Sequence, residues 1–170
     1  TLNAPGFFED KTDVASVDEF PWPNPADHID PEACRAAAEA AAGDRAVLGV
    51  LWSAHFQDLC AAFGLQVAFM KFYDSPELVE AISERIVNFY LEANRIFFEA
   101  TKGKIDAVLI GNDYGSQTSL MLSPDHVRKF ALGGAAQLIA QAKSYGVKVI
   151  YHSCGSIRPI IPDLIELGVD

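Results

Sequence analysis

The sequence predicts an α/β fold, and three observations carry that prediction. AVLGVLW (46–52), DAVLIG (106–111) and VKVIYH (147–152) are short apolar runs of strand length, rich in β-branched residues. Segments with helical spacing separate them. The runs are apolar nearly throughout, as expected of a parallel sheet wrapped by helices. A doubly wound sheet and a (β/α)8 barrel both satisfy this pattern.

The elements follow in order. Residues 1–30 are polar and proline-rich, with prolines at 21, 23 and 25 that disfavour helix in the residues before them. This segment reads as irregular, packing through Phe20 and Trp22. Residues 31–43 suit a helix, with Pro31 in the first turn and Gly43 at the end. After the first strand a helical stretch covers about 54–64. A long helix then opens on Ser75 as cap, Pro76 at the first turn and Glu77 near the positive end of the dipole. Leu78, Ile82, Ile86, Phe89, Ala93 and Phe97 form its apolar stripe to about residue 101, with Glu80, Glu84, Asn88 and Glu92 opposite. The loop NDYGSQTSLML follows the second strand. Ser123-Pro124-Asp125 repeats the capping signature and opens a helix ending near Gly146. The stretch 157–168 reads as a last helix. Gly168-Val169-Asp170 then looks like entry into another strand, so the chain reads as a segment of a longer protein.

Composition bounds the function. The chain has 170 residues, half of them hydrophobic and 21% charged, ample for one globular core and too apolar for disorder. The net charge is −10 and no Lys/Arg cluster occurs, which removes the electrostatic footprint of a nucleic-acid binder and of a polybasic membrane segment. No run approaches the roughly 20 apolar residues of a membrane span. TLNAPGFFEDKTD lacks a basic region followed by an apolar one, so no secretory signal is read in it. Cys34, Cys60 and Cys154 are too few and too scattered for a disulfide framework, and a reducing cytoplasm is the expected home. No G-x-G-x-x-G, P-loop, G-x-S-x-G or H-E-x-x-H is present, so dinucleotide, phosphate-loop, serine-hydrolase and zincin chemistries have no support.

The candidate site residues lie after the strands. His152 and Cys154 are two apart, so on an extended chain both side chains project the same way. Imidazole nitrogen and thiolate sulfur are both zinc donors. The alternative is a hydrogen-bonded core histidine beside an inert buried thiol. Asp113, Tyr114 and Gln117 hold the same place after the second strand and are candidates for substrate contacts, with Gly115 supplying a positive φ. An ordinary Asn-Asp-Gly turn is the other reading. Trp52, Ser53 and His55 follow the first strand, either as an aromatic wall at the same mouth or as a rim of satisfied side chains. Parallel α/β folds keep their chemistry at these C-terminal strand ends. Arg158 stands near a helix start, to meet an anionic group or pair with a nearby acid. Cys34 and Cys60 read as small core residues, and His28 and His126 as solvated.

Three stretches, in order, resemble one family: FPWPNPAD, NDYGSQTSLMLSPDHVRKF and YHSCGSIRPIIPDLIELGVD. They are similar to the uroporphyrinogen decarboxylase superfamily, which includes zinc-dependent methyltransferases that work with corrinoid proteins. The resemblance implies a (β/α)8 TIM barrel of which residues 1–170 are the central part. Residues 1–30 are then a proline-rich segment, 31–170 are β/α units, and the barrel is incomplete at both ends. In the methyltransferase branch a His-x-Cys pair and a distant cysteine bind zinc. His152 and Cys154 match the first two, and the resemblance puts the third beyond residue 170. The substrate class implied is a corrinoid, thiol or O-methyl compound, and the partner a corrinoid protein. The decarboxylase branch implies instead a tetrapyrrole substrate in porphyrin biosynthesis and no cofactor. Its N-terminal arginines and aspartate map to no residue of this chain. An inactive piece of such an enzyme is the third reading.

Overall fold

Three parallel strands, β1 (Leu48–Trp52), β2 (Ala107–Gly111) and β3 (Lys148–His152), pair in the order β1-β2-β3. The structure, a computed structural model, describes residues 4–170, so the first three residues of the proline-rich segment lie outside it. Each strand starts one or two residues later than its apolar run. The approach to β2 is held by a polar clamp. Asp106 donates its amide to Val47 O at 2.9 Å and accepts the Val47 amide on Oδ2 at 2.7 Å. Asp170 repeats this at β3: its amide donates to Val149 O at 3.0 Å and its Oδ2 accepts the Val149 amide at 2.8 Å.

The sheet is covered on one face. Val108, Ile110 and Val149 are buried against Leu138, Ile139 and Phe98. On the opposite face Leu48, Val50, Trp52 and Ile150 are 40–63% exposed. The expectation of strands buried on both faces is therefore corrected among the described residues. The runs are apolar on both sides, but the helices pack on only one.

Those helices are α1 (Pro31–Ala41), α2 (His55–Phe63), α3 (Leu65–Asp74), α4 (Pro76–Thr101), α5 (Pro124–Val127), α6 (Gly133–Ser144) and α7 (Ile161–Glu166). α4 runs as its periodicity predicts, although Ser75 makes no side-chain cap and instead closes α3 through its amide to Lys71 O at 2.9 Å. α3 goes beyond the one helical stretch that the sequence predicts here. Gly64, at φ +82, breaks the helical stretch, and a second helix starts at once. Ser123 caps α5 as expected, but a π-helical turn at Arg128–Leu132 separates α5 from α6. The last predicted helix is a 3-10 turn, Arg158–Ile160, followed by α7.

The proline-rich segment contains 3-10 turns at Val14–Glu19 and Pro25–Asp27 and packs through Phe20 and Trp22, whose rings lie 4.8 Å apart. Cys60 is buried as expected, and burial pushes its thiol up to about 12. Cys34 is only half-buried, because α1 lies at the surface. His126 is not simply solvated: its ring stacks on Phe130 and lies tilted against Tyr73. No helix among the described residues is long and apolar enough to cross a membrane.

Candidate metal centre

The β2–β3 register sets the site. Gly111 pairs with His152, so the residues after β2 run beside those after β3. Asp113 and Cys154, 41 residues apart in sequence, meet there. The Cys154 amide donates to Asp113 Oδ1 at 2.8 Å. His152 Nε2 lies 3.3 Å from Cys154 Sγ and 3.5 Å from Asp113 Oδ1. The three ligand atoms all lie within 4.8 Å of one another.

Two loops are locked together around this cluster. Gly155 has φ +78, and a Cβ there would sit 2.4 Å from the carbonyls of Gly115 and Ser116. Ser156 donates its amide to Ser116 O at 2.7 Å, and Tyr114 donates to Ser153 Oγ at 3.0 Å. The positive φ expected at Gly115 falls instead on Gly155. Gly115 is needed for close approach, since its own Cβ would lie 2.7 Å from the Ser156 amide.

Beneath the cluster lies a buried polar layer. Strand alternation puts Asn112 and Tyr151 inside where Asp113 and His152 point out. Asn112 accepts the Phe56 amide at 2.9 Å and donates to Tyr151 Oη at 3.1 Å. Tyr151 and Tyr114 share a hydroxyl hydrogen bond of 2.6 Å. His55 Nε2 bonds Ala131 O at 2.9 Å, which makes it the donor and leaves Nδ1 to accept from Asn112 Nδ2 at 3.3 Å. Ala131 belongs to the π turn, and its carbonyl accepts from this imidazole. Burial holds the His55 pKa below its usual range.

The sequence-predicted residues thus divide. Asp113, His152 and Cys154 converge, and Cys154 is exposed rather than an inert buried thiol. Trp52 stands beside them, its ring 5.3 Å from that of His152. Tyr114 and His55 are corrected: at 0% and 1% exposure they face the interior and serve the polar layer, not the mouth. Gln117 is exposed on its loop and makes no hydrogen bond among the described residues. Arg158 is exposed and forms no ion pair among them. The sequence points to Asp113 as a substrate contact; the structure puts it among the ligand atoms. The signal available was its position just after a strand neighbouring β3.

The donor set fits a metal ion chemically. Nitrogen, sulfur and oxygen ligands at ordinary zinc bond lengths stand about 3.4–3.6 Å apart around a tetrahedral ion. The His152 separations of 3.3 and 3.5 Å match this spacing. Without a cation the neighbours work against each other. The Asp113 carboxylate, by hydrogen bond and charge, holds the Cys154 thiol above its usual range.

The fold is a parallel α/β sheet with an imidazole, a thiol and a carboxylate gathered at the C-terminal ends of β2 and β3, the end where ligands bind in parallel α/β folds. The family model described as Uroporphyrinogen decarboxylase (URO-D) matches residues 4–170, and the chain belongs to that family. No curated protein and no solved structure matches it.

Proposed function

We propose that this chain carries the metal site of a zinc-dependent methyltransferase of the uroporphyrinogen decarboxylase family, with Asp113, His152 and Cys154 as ligands. One observation carries the reading: three donors of different chemistry lie within 4.8 Å of one another beyond adjacent strands. The ligand expected beyond residue 170 has a candidate inside the chain. Asp113, His152 and Cys154 would hold the zinc, whose positive charge would keep a substrate thiol as thiolate for methyl transfer. The residues hold that arrangement in advance. The Cys154 amide fixes Asp113, and the glycine contact fixes the two loops. Trp52 and Gln117, both exposed, are on this proposal contacts for the substrate, a thiol or O-methyl compound or a corrinoid, delivered by a corrinoid protein in the cytoplasm.

The sheet is, on this proposal, an arc of a (β/α)8 barrel. Its consecutive parallel order, its uncovered apolar face and the Asp170 clamp on β3 support that reading.

Metal analysis tests the function. About one zinc per chain is expected, lost in His152→Ala and Cys154→Ser. Metal-free protein that His152→Ala leaves unchanged would exclude it. The second reading is decarboxylation of uroporphyrinogen, favoured by the description of the matching family. Release of CO2 from uroporphyrinogen, undiminished in Cys154→Ser, would establish it in place of methyl transfer.

A further inference from the structure

We infer that Trp52 is a positioning residue for His152: its indole, reached across a strand that has no side chain in its path, fixes the imidazole so that Nε2 faces Asp113 and Cys154. The inference rests on the metal reading for its consequence but not for its geometry.

Four observations carry it. Trp52 belongs to β1 and His152 to β3, with β2 between them, yet their rings lie 5.3 Å apart at an interplanar angle of 34°. The intervening residue is Gly111, and a Cβ there would fall 2.8–2.9 Å from three indole carbons. The ring therefore occupies the space that any side chain at position 111 would need. The β1–β2 register slips between Val50 and Trp52, and an extra residue of this kind re-aims a side chain at a sheet end. Trp52 and Ser53 have φ of +57 and +45, and they are the two non-glycine residues with positive φ among the described residues. Such a conformation is disfavoured for side chains with a Cβ and persists only where the surroundings impose it.

The surroundings do impose it. Ser53 is fully buried, its hydroxyl donates to Asn94 Oδ1 at 3.2 Å, and its carbonyl accepts the His55 amide at 2.8 Å. The backbone turn is locked from below while the indole, 40% exposed, lies on the uncovered face of the sheet. Filling space alone would not require a disfavoured backbone state; here that state holds the indole against a residue that supplies a ligand atom.

A double-mutant cycle read by cobalt binding tests this. Co(II) replaces zinc as the probe because a thiolate–cobalt band reports the ligand geometry. Trp52→Ala is expected to weaken Co(II) binding about tenfold or more and to shift that band, with Trp52→Phe recovering most of the loss. Gly111→Ala is expected to weaken binding similarly, because its methyl displaces the indole. The double variant should lose no more than Trp52→Ala alone, since the clash is then gone. Wild-type affinity and spectrum in Trp52→Ala, or full additivity in the double variant, would overturn the inference. A metal-free readout separates this from the zinc reading. Nuclear Overhauser contacts from the His152 ring to Asp113 should be present in wild type and averaged away in Trp52→Ala. If wild type binds no metal but shows that difference, the metal reading fails and the positioning role stands. If the imidazole contacts are the same in both proteins, the positioning role fails whatever the metal result.

Discussion

Cys154 donates its backbone amide to Asp113 Oδ1 at 2.8 Å, so one residue presents both an amide that orients the carboxylate and a thiol that can share a cation with it. Asp113 thereby joins the β2 loop to the β3 loop. Asp113→Asn keeps an oxygen acceptor for the Cys154 amide but removes the charge. It is expected to lower zinc affinity about tenfold or more while the thermal midpoint moves by only a few degrees. Inductively coupled plasma analysis and a melting curve on the same sample decide it. Equal damage to binding and stability would make Asp113 structural.

His55 gives the protein a pH-dependent stability. Burial lowers its pKa in the folded state, so the unfolded chain takes up a proton first as pH falls. Above about pH 6.5 both states are neutral and nothing is lost. Below that, stability should fall by up to about 1.4 kcal/mol per pH unit until the folded-state pKa is reached. Urea midpoints at pH 7.5, 6.5 and 5.5 should show this slope, and His55→Gln should flatten it. Asp163 and Asp170, whose pKa values are held down mainly by Arg128 and Lys143, act in a separate and more acid window.

Gly155→Ala combines a positive φ with a backbone clash against Gly115 and is expected to destabilise by more than about 2 kcal/mol. Gly133→Ala is the control. Gly133 begins α6 with open space around it, so alanine there should be neutral or stabilise by up to about 1 kcal/mol. Chemical denaturation of the two variants side by side measures the difference.

Tyr114→Phe removes one hydroxyl from the buried layer, and Tyr151 keeps its bond from Asn112. A loss of about 1 kcal/mol is expected, with zinc content unchanged. A large fall in turnover at unaltered stability would return Tyr114 to the substrate-contact role that its place in the loop predicted.

Much of the fold was legible in the chain because its signals are local. The three apolar runs, the Pro76 and Pro124 helix starts and the stripe of α4 each depend on residues within a few turns of one another. α3 escaped because LQVAFMKFYD is short, apolar and uncapped, and begins directly after Gly64. The π turn escaped because RKFALGG carries no sequence mark of one; its Ala131 carbonyl is satisfied by His55, 76 residues away. The covered and uncovered faces of the sheet were also hidden, since both carry apolar residues.

By itself the sequence determined that His152 and Cys154 project together wherever the chain stays extended through Ser153, because the two-residue repeat is a property of the backbone. It also marked three strand ends as the place for chemistry and offered no support for nucleotide-loop or serine-nucleophile sites. Only the tertiary structure decided which other groups share that place. Asp113 enters the cluster through a β2–β3 register, Trp52 through a slipped β1–β2 register with Gly111 left bare, and Tyr114 and His55 leave it for the interior. Register and face are set by the packing of segments some forty to a hundred residues apart, and no local pattern in either segment encodes how the two will meet.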